Sequence, residues 1–353
     1  MPKFYKFFLA LLFTLIISWF TWQIPAAFAA TESETSLRTL AEKRGILIGA
    51  AVDMKALKSD SKYGEVLARE FNAILPENAM KLILLHPERD RYNFTDTDIL
   101  MDFAKTHQMQ VHGHPLIWHY AVPQWLESGN FTREQFIEIL HDYIKTVVTR
   151  YRGQIKVWYV VNESINRDGS LEDSIWLRKI GPEYIDLAYR WVHELDPEAR
   201  LFYNEYSAEE VGQKADAVYQ LLQGLIQRGV PIHGVGLQMH KDVDWSSAPQ
   251  LIENMKKLAA LGLDISITEM DIYIKEGFGN QQQALEKQAQ IYEDTLQACL
   301  SIPQCVYFSI WGFSDRYTWA ASWRGSQGAP LIFDEQYRPK PAYYAMQKVL
   351  RRE

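Results

Sequence analysis

Val157-Trp158-Tyr159-Val160-Val161-Asn162-Glu163 is a short run of β-branched and aromatic residues that ends abruptly in an amide and a carboxylate. Runs of this kind recur at 46–52, 73–75, 110–116, 157–162, 200–204, 235–240, 264–268 and 306–311, and each reads as a strand. Longer stretches with three-, four- and seven-residue apolar spacing lie between them. In 96–106 the spacing predicts one face of Ile99, Leu100, Phe103 and Ala104; in 133–148 it predicts one of Phe136, Ile137, Leu140 and Ile144. Segments 182–194, 215–228, 248–261 and 281–300 read the same way, as helices that cover a core on one side. Alternation of strand and helix requires crossover connections, and so parallel strands. Eight such units without a Pro- or Ser-rich linker predict an α/β fold, a single closed (β/α)8 TIM barrel. An open doubly wound sheet would carry a glycine-rich phosphate turn after the first strand, and Ala50-Ala51-Val52-Asp53-Met54 offers none.

The chain has 353 residues, 47% hydrophobic and 23% charged, a composition that excludes a disordered or polytopic membrane protein. A formal charge of −7 with no basic block argues against a nucleic-acid partner. Aromatics at 13%, with 11 Trp and 19 Tyr, favour a protein that offers flat apolar faces to a ligand. Lys3 and Lys6, the apolar run 7–20 and Ala27-Phe28-Ala29 have the pattern of a cleaved signal peptide, residues 1–29. The run is shorter than the ~20 residues of a membrane span. The expectation is therefore a secreted catalytic domain, 30–353, monomeric and without stable membrane association. Cys299 and Cys305 lie six apart, and an oxidising destination permits a disulfide between them. A metal site or a reactive thiol is the alternative, but there is no C-x-x-C pattern and no paired histidine nearby.

Barrels of this kind keep their chemistry at the C-terminal ends of the strands. Those ends read Glu77-Asn78-Ala79-Met80-Lys81, His114 to Trp118, Asn162-Glu163, Asn204-Glu205-Tyr206, Gln238-Met239-His240, Glu269-Met270-Asp271 and Trp311. Glu163 and Glu269 stand out. Cleaving a glycosidic bond takes one carboxylic acid to protonate the leaving oxygen and one carboxylate to attack or to activate water. His240, one strand over, is placed to keep Glu269 ionised, and Asp271 to orient His240. Trp158, Asn162 and Trp118 make a less charged setting for Glu163, which favours its protonated form. Asn162 offers an amide to a sugar 2-hydroxyl. Trp158, Trp176 and Trp191 read as packing residues, whereas Trp311 and Trp319 fall in a Gly/Ser/Asp-rich segment and read as sugar-stacking faces. Glu77, Asn78 and Lys81 read either as a capped helix start or as site residues. His112, His114 and His119 match no common zinc spacing, so neither metal nor cofactor is expected.

These residues fall within motifs that resemble glycoside hydrolase family 10, the retaining endo-β-1,4-xylanases. The motifs are Leu75-Pro76-Glu77-Asn78-Ala79-Met80-Lys81, Gly113-His114-Pro115-Leu116-Ile117-Trp118-His119, Val160-Val161-Asn162-Glu163, Gly236-Leu237-Gln238-Met239-His240, Ile267-Thr268-Glu269-Met270-Asp271 and Trp311-Gly312-Phe313-Ser314-Asp315. The resemblance runs from about Leu47 to Leu350. It implies Glu163 as acid/base and Glu269 as nucleophile, with Glu77, Asn78, Lys81, His114, Trp118, Asn162, Gln238, His240, Trp311 and Trp319 lining the sugar-binding side. It also implies a bridge between Cys299 and Cys305, and xylan or xylo-oligosaccharides as substrate. Departures from the family pattern occur at Tyr159, usually Asp; Pro115, usually Thr; Tyr120-Ala121, where a Gln is common; and Glu205 and Ser207 in the usual Asn-Asp-Tyr-Asn. Another β-1,4-glycanase specificity and a non-catalytic carbohydrate-binding protein are the rival readings.

Overall fold

A computed structural model describes residues 35–325 and 328–352, so the predicted leader, 1–29, lies outside the described residues. The predicted runs form strands β1 (Leu47–Val52), β2 (Ala73–Pro76), β3 (Gln110–Gly113), β4 (Ile117–Trp118), β5 (Ile155–Asn162), β6 (Arg200–Glu205), β7 (Gly234–Leu237), β8 (His240–Asp242), β9 (Asp264–Tyr273) and β10 (Cys305–Ile310). Eight are staves, paired in parallel in the order β1-β2-β3-β5-β6-β7-β9-β10. β10 then pairs back with β1, Leu47 opposite Tyr307, and the barrel closes.

Two runs that read as continuous strands are broken. The 110–116 run stops at Gly113 and resumes as β4, which pairs with β5. Pro115 has no N–H to give to a ladder, and Leu116 N–H turns to the Tyr159 carbonyl instead (3.1 Å). The 235–240 run stops at Leu237 and resumes as β8, because Met239 adopts φ +69°, outside the strand region. Both breaks sit at the C-terminal rim, where they re-aim His114, Trp118, Gln238 and His240.

The barrel axis is filled by pairing large rings with glycines. A Cβ on Gly49 would lie 2.2 Å from Tyr307 Oη, and one on Gly234 2.3 Å from the Phe202 ring. Tyr159, Phe202 and Tyr307 are fully buried there. Outside, Arg133–Tyr151 and Gln281–Leu300 begin with capping boxes, Thr132 with Gln135 and Asn280 with Gln283. Phe136, Leu140 and Ile144 face the core as the spacing predicts. Thr95–Thr106 differs: its buried stripe is Thr97, Leu100, Met101 and Ala104, and Ile99 is exposed. The helix is turned about one position from the predicted face because Thr97 Oγ1 bonds the Ala79 carbonyl (3.1 Å) and holds that edge inward. Helices Leu37–Arg44, Ser61–Glu70 and Pro341–Arg351 were not read from the sequence; the first and last pack together beside Gln281–Leu300. No helix among the described residues is long and apolar enough to cross a membrane.

Cys299 and Cys305 are disulfide-bonded, joining the end of Gln281–Leu300 to the start of β10. Closing so short a loop removes about 2 kcal/mol of unfolded-chain entropy at 25 °C. The Cys299→Ala/Cys305→Ala variant should therefore unfold at lower denaturant by about that amount, and an unchanged midpoint would show that the bridge contributes nothing.

Candidate active site

β9 carries Glu269 to the barrel mouth, and its amide N–H bonds the Gln238 carbonyl of the neighbouring stave (3.0 Å). The residue is 4% exposed. A carboxylate so buried must be compensated. Asn204 Nδ2 at the end of β6 donates to Oε1 (2.6 Å), His114 Nε2 lies 3.2 Å from the same oxygen, and His240 Nε2 lies 3.2 Å from Oε2. Burial alone would raise the carboxyl, but the two imidazoles outweigh it and hold it at about 2. His240 is the mirror case: burial depresses it, and Asp271 and Glu269 bring it up to about 10. Asp271 Oδ1 lies 3.0 Å from His240 Nδ1, and Asp271 Oδ2 accepts from Trp319 Nε1 (2.6 Å). Trp319, Asp271, His240 and Glu269 thus form one chain of contacts.

Glu163 follows β5 with φ +54°, an uncommon backbone region for a residue with a side chain, and its N–H is tied to the Asn204 carbonyl (3.0 Å). It is half-buried. Its partners are neutral: Trp118 Nε1 donates to Oε2 (2.7 Å) and Gln238 Nε2 to Oε1 (2.8 Å). The two carboxylates are joined by amides. Gln238 Nε2 also reaches Asn162 Oδ1 (3.4 Å), and Asn204 Nδ2 donates to that same oxygen (2.8 Å) as well as to Glu269. The Asn162 oxygen is committed to this network, which leaves its N–H groups for a ligand.

Glu77, Asn78 and Lys81 form a second chain leading to Glu163: Asn78 Nδ2 donates to Glu77 Oε1 (3.0 Å), Lys81 Nζ to Asn78 Oδ1 (2.7 Å), and Lys81 Nζ sits 4.7 Å over the Trp118 ring. The helix-start reading accounts for them less well, since Lys81 precedes only the four-residue helix Leu82–Leu85 and caps it with no side-chain bond. Burial, then the Asp53 carboxylate, pushes Glu77 up to about 7. Burial also lowers Lys81, against the pull of Glu77, Glu269 and Glu163.

Two placements correct the sequence reading. Trp311 is not exposed; it directly follows β10, is 7% exposed and packs with Ala51, Leu75 and Tyr307, edge-on to His114 (5.5 Å). The stave that delivers it ends inside the mouth, so its ring joins the floor. His114 likewise supports Glu269 from below, 2% exposed. Tyr159, at the departure from the family's Asp, is fully buried and edge-on to the His114 ring (5.6 Å). Asn204 escaped the sequence reading although it is the hub; its place at a strand end beside another Asn–Glu pair was the available signal. Thr268 Oγ1 fixes Asn204 Oδ1 (2.8 Å). Gly236 leaves room for it, since a Cβ there would lie 2.3 Å from Asn204 Oδ1. Glu205 is wholly buried against Lys214 (2.9 Å), and burial raises it to about 7.

An ionised buried carboxylate and a second one on neutral donors, on one rim of a closed parallel barrel, are the working parts of a glycoside hydrolase. The model of Glycosyl hydrolase family 10 matches residues 36–349, and the chain belongs to that family. It is 43% identical over 319 residues to endo-1,4-beta-xylanase B of Thermotoga neapolitana, covering 90% of this chain and 92% of the relative. It is 36% identical to a beta-1,4-xylanase of Dictyoglomus thermophilum, over 85% of this chain and 87% of that one. The crystal structure of xylanase 10B from Thermotoga petrophila in complex with xylobiose superimposes with a TM-score of 0.87 at 44% identity, covering 89% of this chain and 97% of that chain.

Removing the Asn204 donor should slow turnover at least about tenfold, the scale of a lost hydrogen bond to a charged group. Asn204→Ala and Gly236→Ala should both show it in kcat, because the added methyl of the second displaces Asn204; wild-type rates would refute the hub. The imidazole–carboxylate pair also links stability to pH. Glu269, held low, contributes fully above about 4.5, and its contribution is lost as pH falls towards about 2. His240, held high, contributes fully below about 6.5, and its contribution is lost as pH rises towards about 10. The stability advantage of the wild type over His240→Gln should be greatest between those limits and shrink on the alkaline side, as read from denaturant midpoints across pH.

Proposed function

We propose that this protein is an exported endo-1,4-β-xylanase that hydrolyses internal β-1,4-xylosidic linkages of xylan with retention of configuration. Glu269 attacks the anomeric carbon while Glu163 protonates the leaving glycosidic oxygen. Glu163, now a carboxylate, takes a proton from water, and that water displaces Glu269 from the sugar. The observation that carries the reading is the contrast between the two carboxylates: Glu269 bears hydrogen-bonding imidazoles that keep it charged, and Glu163 has only neutral donors. The xylanase relatives, one solved with xylobiose, support the substrate class. Glu77, Asn78, Lys81, Trp118 and the free N–H groups of Asn162 are the polar and aromatic contacts proposed for the xylose units. Retention requires the two carboxyl groups about 5–5.5 Å apart. The leader pattern at 1–29 supports export.

The purified protein should release reducing ends from xylan far faster than from carboxymethylcellulose; cleavage of the glucan alone would overturn the assignment. Proton NMR of the first products from a xylo-oligosaccharide should show the β-anomer, and an initial α-anomer would refute double displacement. Glu269→Ala should abolish hydrolysis while the protein still binds xylan.

A further inference from the structure

Met239 is the residue between Gln238, which holds Glu163, and His240, which holds Glu269. Its φ of +69° is a backbone state that a buried side chain of this size keeps only under external constraint. The constraint comes from another segment. Glu209, in the loop after β6, is 1% exposed, and its Oε1 accepts the Met239 N–H at 2.8 Å. Its Oε2 accepts from Lys241 Nζ at 2.8 Å, so the buried charge is paired. Lys241 also contacts Glu210 (3.0 Å), which accepts from Trp245 Nε1 (2.6 Å). The loop itself is moored by Asn254 Nδ2, which donates to the Ala208 carbonyl (2.7 Å) and reaches that of Glu209 (3.4 Å).

We infer that Glu209 is a positioning residue for both carboxylates: by gripping the Met239 amide it sets the two flanking side chains, Gln238 towards Glu163 and His240 towards Glu269. Gln238 and His240 share peptide planes with Met239, so relaxation of the left-handed turn swings both at once. The acceptor is charged and dry, which makes this backbone hydrogen bond a strong one. The inference rests on the reading of Glu163 and Glu269 as the reacting pair, and it adds a single anchor through which the two are kept in mutual register.

Two double variants separate the acceptor from the charge. Glu209→Gln/Lys241→Met keeps an oxygen for the Met239 N–H, and Glu209→Leu/Lys241→Met removes it; neither leaves a buried charge unpaired. Steady-state kinetics on a xylo-oligosaccharide, with thermal melting as the control for folding, should show the leucine double about tenfold or more down in kcat with KM within about twofold. The glutamine double should recover most of that loss. Titration of the His240 imidazole by nitrogen-15 NMR reads the geometry without substrate. Its pKa should fall by at least about one unit in the leucine double and hold in the glutamine double. Equal kcat and equal His240 titration in the two doubles would overturn the inference. If the leucine double fails to fold, Glu209→Asp keeps the charge but draws the acceptor back from Met239; kcat and His240 titration unchanged from wild type would overturn it equally. A wild type inert on xylan would sink the xylanase reading alone, and the His240 titration would still decide the role of Glu209.

Discussion

The site depends on one buried negative charge. Glu269 is almost wholly removed from water, and a carboxylate in that position either takes up a proton or must be surrounded by donors. Here Asn204 on β6, His114 just after β3 and His240 at the start of β8 supply them. Those segments lie far apart in sequence and converge only at the mouth of the closed barrel, which is therefore the condition of an ionised Glu269. The next ring of contacts follows from the same need: Asp271 supports His240, Trp319 supports Asp271, and Thr268 fixes Asn204.

Glu163 has the opposite surroundings. No cation is bonded to it; an indole and a primary amide are. Two groups of the same chemical type thus have different neighbours, the contrast on which the proposed division into acid and nucleophile rests. Asn204, Asn162 and Gln238 link the two settings without carrying charge between them. The oxygen of Asn162 is committed to Asn204 and Gln238, which leaves its N–H groups for the sugar contact proposed above.

Closure also dictates the interior. Tyr159, Phe202 and Tyr307 fill the axis because Gly49, Gly234 and Gly236 yield the space. Tyr159, at the position where the family usually carries Asp, packs edge-on against the His114 ring. The buried ring supports the imidazole by packing and brings no charge of its own to the floor of the site. Behind Glu163, Glu205 and Lys214 form a buried pair that stays outside the direct contacts of the site.

Periodicity by itself located the eight staves and six of the helices, and strand-end chemistry singled out Glu163 and Glu269 as the acidic pair to consider. Each is a property of residues close in sequence: a β-branched run, a 3.6-residue stripe, a carboxylate directly after a strand. Even His240 beside Glu269 was legible, because adjacent staves put neighbouring strand ends together. Only the tertiary structure decided the rest. Asn204 became the hub because three strand ends converge on it, and Trp311 became floor because β10 ends inside the mouth. Ile99 turned outward because Thr97 found a carbonyl on another segment. Met239 took a left-handed turn because Glu209, thirty residues away in the chain, offers its amide a buried oxygen. Local patterns record what a residue prefers; these positions are set by which distant group reaches it once the barrel closes.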